Sequence, residues 1–267
     1  MGVVVLGHSI CSYLSTQKRI LERCQVRHLE NSRLISDTIF HIFPSTTKKR
    51  SLTLSGKTML SKPNPSSTTL YSASQELESH AIRFIMAHKS IEREVVEVSF
   101  DEMPEEVLEL NPCETLPTLF DRGMVLYDLS VIMEYLDERF PFPPLLPVDP
   151  IEKAEKRLLI YRFTRADGCW YKLTENILNG NKKQAEVARK TLNGNLLELL
   201  PLFAHQPYFK SDTMTLVDVC IAPILWRLDV LGISLGEKAK PIKAYANRLF
   251  EKEGFHDSLT FAEKDFN

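Results

Sequence analysis

The sequence predicts a mixed α/β domain followed by an all-helical domain, and three observations carry that prediction. Between residues 68 and 139, short strand-like runs alternate with stretches at helical spacing. Residues 140–150, FPFPPLLPVDP, then place five prolines in eleven residues. Proline cannot donate to a helix or sheet ladder, so this is a stiff, extended connection. Beyond it the apolar residues keep a helical period to the end of the sequence.

The elements of the first domain follow in order from Thr68. TTLYS reads as a short strand, and a helix follows over about 75–88, where Leu77, Ala81, Phe84 and Ile85 recur at helix spacing on one apolar face. The valine-rich EVVEV (94–98) is strand-like. A short helix through Val107, Leu108 and Leu110 stops at Asn111-Pro112, because proline disfavours helical geometry in the residue before it. LPTLF (116–120) and MVLYD (124–128) are strands, and Asp121-Arg122-Gly123 signals the hairpin between them. A helix then runs from Leu129 to about Arg139, with Asp128 placed to cap its first-turn N–H groups. Strand, helix, strand, helix, strand, strand, helix is a thioredoxin-like layout: a parallel pair with a helical crossover, then an antiparallel hairpin.

In the second domain, helices are predicted over 151–178, 183–204, 215–230 and 238–251, with a short piece near 259–264. Breaks fall at Asn179-Gly180-Asn181, Gln206-Pro207, Gly232 and Gly254. Thr215 and Asp218 form a capping box ahead of VCIAPILW, within which Pro223 should kink the helix. The domain boundaries are therefore 66–144 and 149–267, preceded by residues 1–65, whose apolar residues keep no period and which end in polar, turn-prone runs. Those first residues read either as a mobile basic extension or as a start-site artefact, with translation beginning at Met59.

Charge and cysteine usage narrow the class. Of the 267 residues, 43% are hydrophobic and 25% charged, with a net charge of −2. Residues 1–58 carry nine Lys/Arg against three acids, so the remainder is acidic, at −8. An acidic body is a poor ligand for a phosphate backbone, which excludes direct nucleic-acid binding as the main role. Five scattered cysteines without a CxxC pair fit neither a disulfide framework nor a zinc site, and point to a reducing, cytoplasmic setting. No apolar run reaches the roughly 20 residues of a membrane span, and MGVVVLGHSICSYL lacks the basic start of a secretory signal. His80 and His88 are wrongly spaced for a metal pair, so no metal or cofactor is expected. Tyr161, Phe163, Trp170 and Tyr171 read as core and dimer seam. Leu116-Pro117 opens a strand, where a cis bond would turn the preceding backbone outward as an edge for an extended peptide.

The stretches YSxSxELxSHxxRFxxAHK, NPxxTLPTLFDRG, LYDxSxIMEYLDERFPxPPLLP and TLVDVxIAPILWRL, over about 66–267, resemble the glutathione-transferase superfamily. Within it they most resemble the bacterial stringent starvation protein A branch. The resemblance implies a thioredoxin-like domain joined to a helical bundle. It also implies a non-catalytic regulator that binds RNA polymerase holoenzyme under starvation and stress, and that pairs as a homodimer or with a paralogous subunit.

The same resemblance identifies a vestigial glutathione site at Glu76, Leu116, Pro117, Asp128 and Leu129. Glu76 aligns with the thiol-activating hydroxyl or thiol of the transferases, and a carboxylate there repels a thiolate. Asp128-Leu129 aligns with the acid-serine pair that holds the glutamyl carboxylate, leaving Ser130 one place late. Ser72, Ser74 and Cys113 are the residues an active transferase or peroxidase would use instead. Pro141-Phe142-Pro143, with Pro144, matches a Pro-His-Pro surface motif of the regulators, with Phe142 in place of the histidine. Phe142 is then either a partner anchor or a linker residue packed between the domains.

Overall fold

The computed structural model describes residues 67–111 and 113–266. Expectations for residues 1–65 lie outside the described residues. Strand β1 (Thr68–Ser72) is buried along its whole length because it sits inside the sheet and is paired on both sides. It runs parallel to β2 (Glu94–Glu97), Leu70 opposite Val95, and antiparallel to β3 (Thr118–Asp121), Leu70 opposite Leu119. Strand β4 (Met124–Leu126) completes the order β2-β1-β3-β4. The hairpin between β3 and β4 turns on Arg122 and Gly123, both at positive φ (50° and 78°), as a two-residue primed turn requires.

Helix α1 (Leu77–His88) makes the crossover from β1 to β2 and is buried on more than the predicted face. Ser79, His80 and Arg83 are buried as well as Leu77, Ala81, Phe84 and Ile85. The reason is a second packing partner, since α1 meets helix α3 (Leu129–Arg139) as well as the helical layer. Residues 100–115 belong to a separate compact unit. They contain α2 (Glu105–Leu110), after which Asn111 Nδ2 donates to the Thr115 carbonyl at 2.8 Å.

The second domain contributes α4 (Pro150–Thr164), α5 (Trp170–Asn179), α6 (Lys182–Glu198), α7 (Leu200–His205), α8 (Leu216–Trp226) and α9 (Lys240–Phe250). Two predicted helices are each divided. The 151–178 stretch breaks over 165–169, where Gly168 takes φ +68° and Cys169 caps the next helix. The 183–204 stretch breaks at Leu199, just before Pro201, which lacks the N–H a continuing helix would use. The predicted helical piece at 259–264 is instead two 3-10 turns, His256–Ser258 and Lys264–Phe266. Helix α8 runs through Pro223 to Trp226 with every residue buried, and α1 packs directly against it. Its start is fixed by Asp218, which accepts from Thr215 N–H (2.7 Å), Phe209 N–H (2.8 Å) and the Tyr245 hydroxyl (2.6 Å). One apolar cluster runs from Leu70 and Phe84 of the sheet layer through Ile132 to Leu216 and Ile221 of the helical layer. Phe163, Trp170 and Tyr171 lie in it as predicted, whereas Tyr161 is exposed.

Candidate functional site

The polar residues of α1 are assembled into a buried ionic cluster. Arg83 makes a two-pronged contact with Glu263 (2.8 and 2.7 Å), donates through Nε to the Ser258 carbonyl (2.8 Å), and reaches the Ser72 hydroxyl and the Ala73 carbonyl. Arg227, from the end of α8, also pairs with Glu263, so one fully buried carboxylate serves two guanidinium groups. Arg227 Nη1 donates to His80 Nδ1 at 2.9 Å, which leaves the imidazole proton on Nε2. Burial, and then the two neighbouring arginines, hold the His80 pKa well below the usual histidine value, so the ring is neutral. Gly254 brings this chain end against α1. At φ +81°, a Cβ there would stand 2.5 Å from the Ala87 carbonyl carbon.

Glu76 is the N-cap of α1. Its Oε2 accepts from Ser79 N–H (3.1 Å) and from the Ser79 hydroxyl (2.6 Å). Burial, helped by the adjacent Glu78 charge, pushes its carboxyl up to about 8 against the pull of the Ser79 hydrogen bonds. The folded chain thus favours the protonated form of this carboxyl more than an exposed site would. Glu78 pairs with Arg165, which also reaches Asp128 Oδ2 at 3.2 Å. Asp128 caps α3 as predicted, its Oδ1 accepting from Ser130 and Val131 N–H (2.9 and 3.1 Å), and Leu129 behind it is fully buried. The sequence gives no sign of Arg165, which stands in the 165–169 break where a continuous helix is predicted.

The Leu116–Pro117 bond is cis, as expected of that position. Leu116 is buried. Of the alternative nucleophiles, Ser72 is fully buried and accepts from Arg83, and the Ser74 carbonyl accepts from Thr260 Oγ1 at 2.8 Å. Cys169 and Cys220 are free and buried. Among the described residues no group of His, Cys, Asp and Glu could hold a metal ion. No helix among them is long and apolar enough to cross a membrane.

The proline loop faces outward. Pro141, Phe142, Pro143 and Pro144 are all exposed, and Phe142 is 81% exposed, so it does not pack between the domains. The Phe142–Pro143 bond is cis. The loop is held at both ends: Phe140 N–H donates to the Leu136 carbonyl (3.0 Å), Leu145 N–H to Asp137 Oδ1 (2.9 Å), and Leu216 N–H to the Leu145 carbonyl (2.9 Å). Underneath, the buried Lys89 ammonium donates to the carbonyls of Phe140 and Pro143, each at 2.6 Å, and pairs with Asp137 at 2.8 Å. Sequence reading misses Lys89, because its acceptors are mostly backbone oxygens that carry no residue identity.

Residues 79–139 match the glutathione S-transferase N-terminal domain, and residues 151–253 match the glutathione S-transferase C-terminal domain. A stringent starvation protein A homolog from Coxiella burnetii is 44% identical over 198 residues, covering 74% of this chain and 93% of that one. Another, from Pasteurella multocida, is 42% identical over 192 residues, covering 72% and 89%. A glutathione S-transferase from Rhodospirillum rubrum superposes with a TM-score of 0.66 at 22% identity, over 75% of this chain and 95% of that one. At that identity the superposition establishes the fold alone. With both transferase domains matched and identities above 40% to these two homologs over most of each chain, the chain belongs to the stringent starvation protein A family of the glutathione-transferase superfamily.

Proposed function

We propose that this protein is a non-catalytic regulator of the starvation and stress response that acts by binding RNA polymerase holoenzyme through the Pro141–Pro144 loop. The observation that carries this reading is the loop itself. It offers one large aromatic to solvent on a backbone fixed at both ends, which is a favourable anchor because little conformational freedom is lost on docking. Only Phe142 of the four residues has a backbone N–H, and none is charged, so the contact is apolar and depends weakly on salt. A catalytic role is disfavoured by the engagement of the residues that would perform it. Glu76 caps its own helix, Ser72 is locked under Arg83, and Asp128 is shared between its cap and Arg165. Self-association as a homodimer fits the exposed Val131 on α3 and the exposed Leu158 and Tyr161 on α4.

The test is capture of polymerase holoenzyme from starved cells by the wild-type protein and by Phe142→Ala. Capture by wild type and its loss in the variant are expected. Absence of polymerase on the soluble wild-type protein, or retention on glutathione resin with glutathione-dependent turnover, would overturn the reading in favour of an active transferase or peroxidase.

A further inference from the structure

Lys89 is the C-cap of α1 and is buried, an unusual place for an ammonium group. Its three N–H donors have three acceptors: the Phe140 carbonyl, the Pro143 carbonyl and Asp137 Oδ1. Two of these lie on either side of Pro141 and Phe142, so the ammonium bridges the base of the exposed turn from inside the protein. The third, Asp137, also accepts from Leu145 N–H and so ties the same charge to the loop's far end. Charge-assisted hydrogen bonds of this kind are the strong ones, and burial shields them from competing water. Prolines 141, 143 and 144 cannot supply backbone N–H groups to hold the turn themselves, so its shape depends on donors from elsewhere.

We propose that Lys89 is the positioning residue of the partner surface. It preorganises Pro141–Pro144 so that Phe142 is presented ready for an apolar, uncharged pocket on the partner. This rests on the reading of the loop as the polymerase-binding surface. Lys89 touches no partner; it acts by removing the alternative loop shapes that binding would otherwise have to exclude.

The experiment compares Lys89→Met, Phe142→Ala and the double variant, in the full chain. Amide exchange at Leu145 reports the hold on the loop, and capture of polymerase holoenzyme reports the surface. In Lys89→Met, Leu145 should exchange at least about tenfold faster, since its acceptor Asp137 loses its counter-charge. Capture should fall about tenfold or more, and the double variant should lose little beyond Phe142→Ala alone. That non-additivity marks two residues acting through one contact, and a general loss of stability would not produce it. Unchanged exchange, or unchanged capture by Lys89→Met while Phe142→Ala loses it, overturns the role of Lys89. Unchanged capture by Phe142→Ala overturns the surface reading itself. Removing Lys89 alone strands the Asp137 charge, so Lys89→Met with Asp137→Asn is a second form that loses both charges together and keeps the fold. The same exchange and capture results are expected of it, and wild-type behaviour in both would refute the proposal.

Discussion

Ser79, His80 and Arg83 of α1, and Pro141–Pro144 after α3, are equally recognisable in the sequence, yet the fold turns them in opposite directions. The first group faces inward, where Arg83 and Arg227 share Glu263 and every participant is buried. The second faces outward, with no charge and one large aromatic. The contrast teaches that polar character in a helix does not mark a working surface, nor apolar character in a loop a buried one. Buried ion pairs are expensive to assemble and costly to break on one side, so the inward motif fixes architecture. An exposed phenylalanine contributes little to folding, so the outward one is free to serve a partner.

The sharpest way to break this contrast is Glu263→Ala. It leaves two buried guanidinium groups without a counter-charge and should cost about 3–5 kcal/mol, read from chemical denaturation. A loss below about 1 kcal/mol would mean the cluster does not hold the fold. Glu76 comes next, through pH. Its folded pKa of about 8 lies above the ordinary value, so the folded state keeps a proton that the unfolded state releases. Stability therefore falls as pH rises from about 4.5 to about 8, by at most about 1.4 kcal/mol per pH unit and less for a half-buried group. Glu76→Gln should flatten that part of the stability–pH curve; an unchanged slope would remove the assigned proton. Arg165→Ala, which breaks a partly exposed link to Glu78 and Asp128, should cost about 1 kcal/mol or less, and the cost should shrink in high salt. Smallest is Phe142→Ala, which should change stability by no more than about 0.5 kcal/mol while abolishing polymerase capture. A large stability loss there would place the side chain in a packing role and erase the distinction.

Much of the fold was legible because it depends on local chemistry. The Arg122-Gly123 turn, the Asp128 cap and the Thr215/Asp218 pair are each set by residues a few positions apart. The candidate site was less legible because its partners are distant or anonymous. Arg83 meets Glu263 at a separation of 180 residues, so a polar stripe on α1 gives no hint that it is buried. The division at 165–169 turns on Gly168 adopting positive φ, which one glycine in a helical pattern does not announce. The sequence leaves Phe142 between two readings, and only the direction of its side chain separates them.

The loop's moorings have a consequence for how it can come loose. Lys89 comes from the crossover helix, Asp137 from the helix before the loop, and Leu216 from the first turn of α8. The Lys89 and Asp137 contacts form within the first domain, whereas the Leu216 bond forms only once the helical layer has docked on it. A chain whose helical layer has opened contains the same four exposed residues and the Lys89 bridge but lacks this last mooring. The far end of the loop is thus fixed also by a different part of the fold from its base, and opening the helical layer would loosen that end while leaving the base in place.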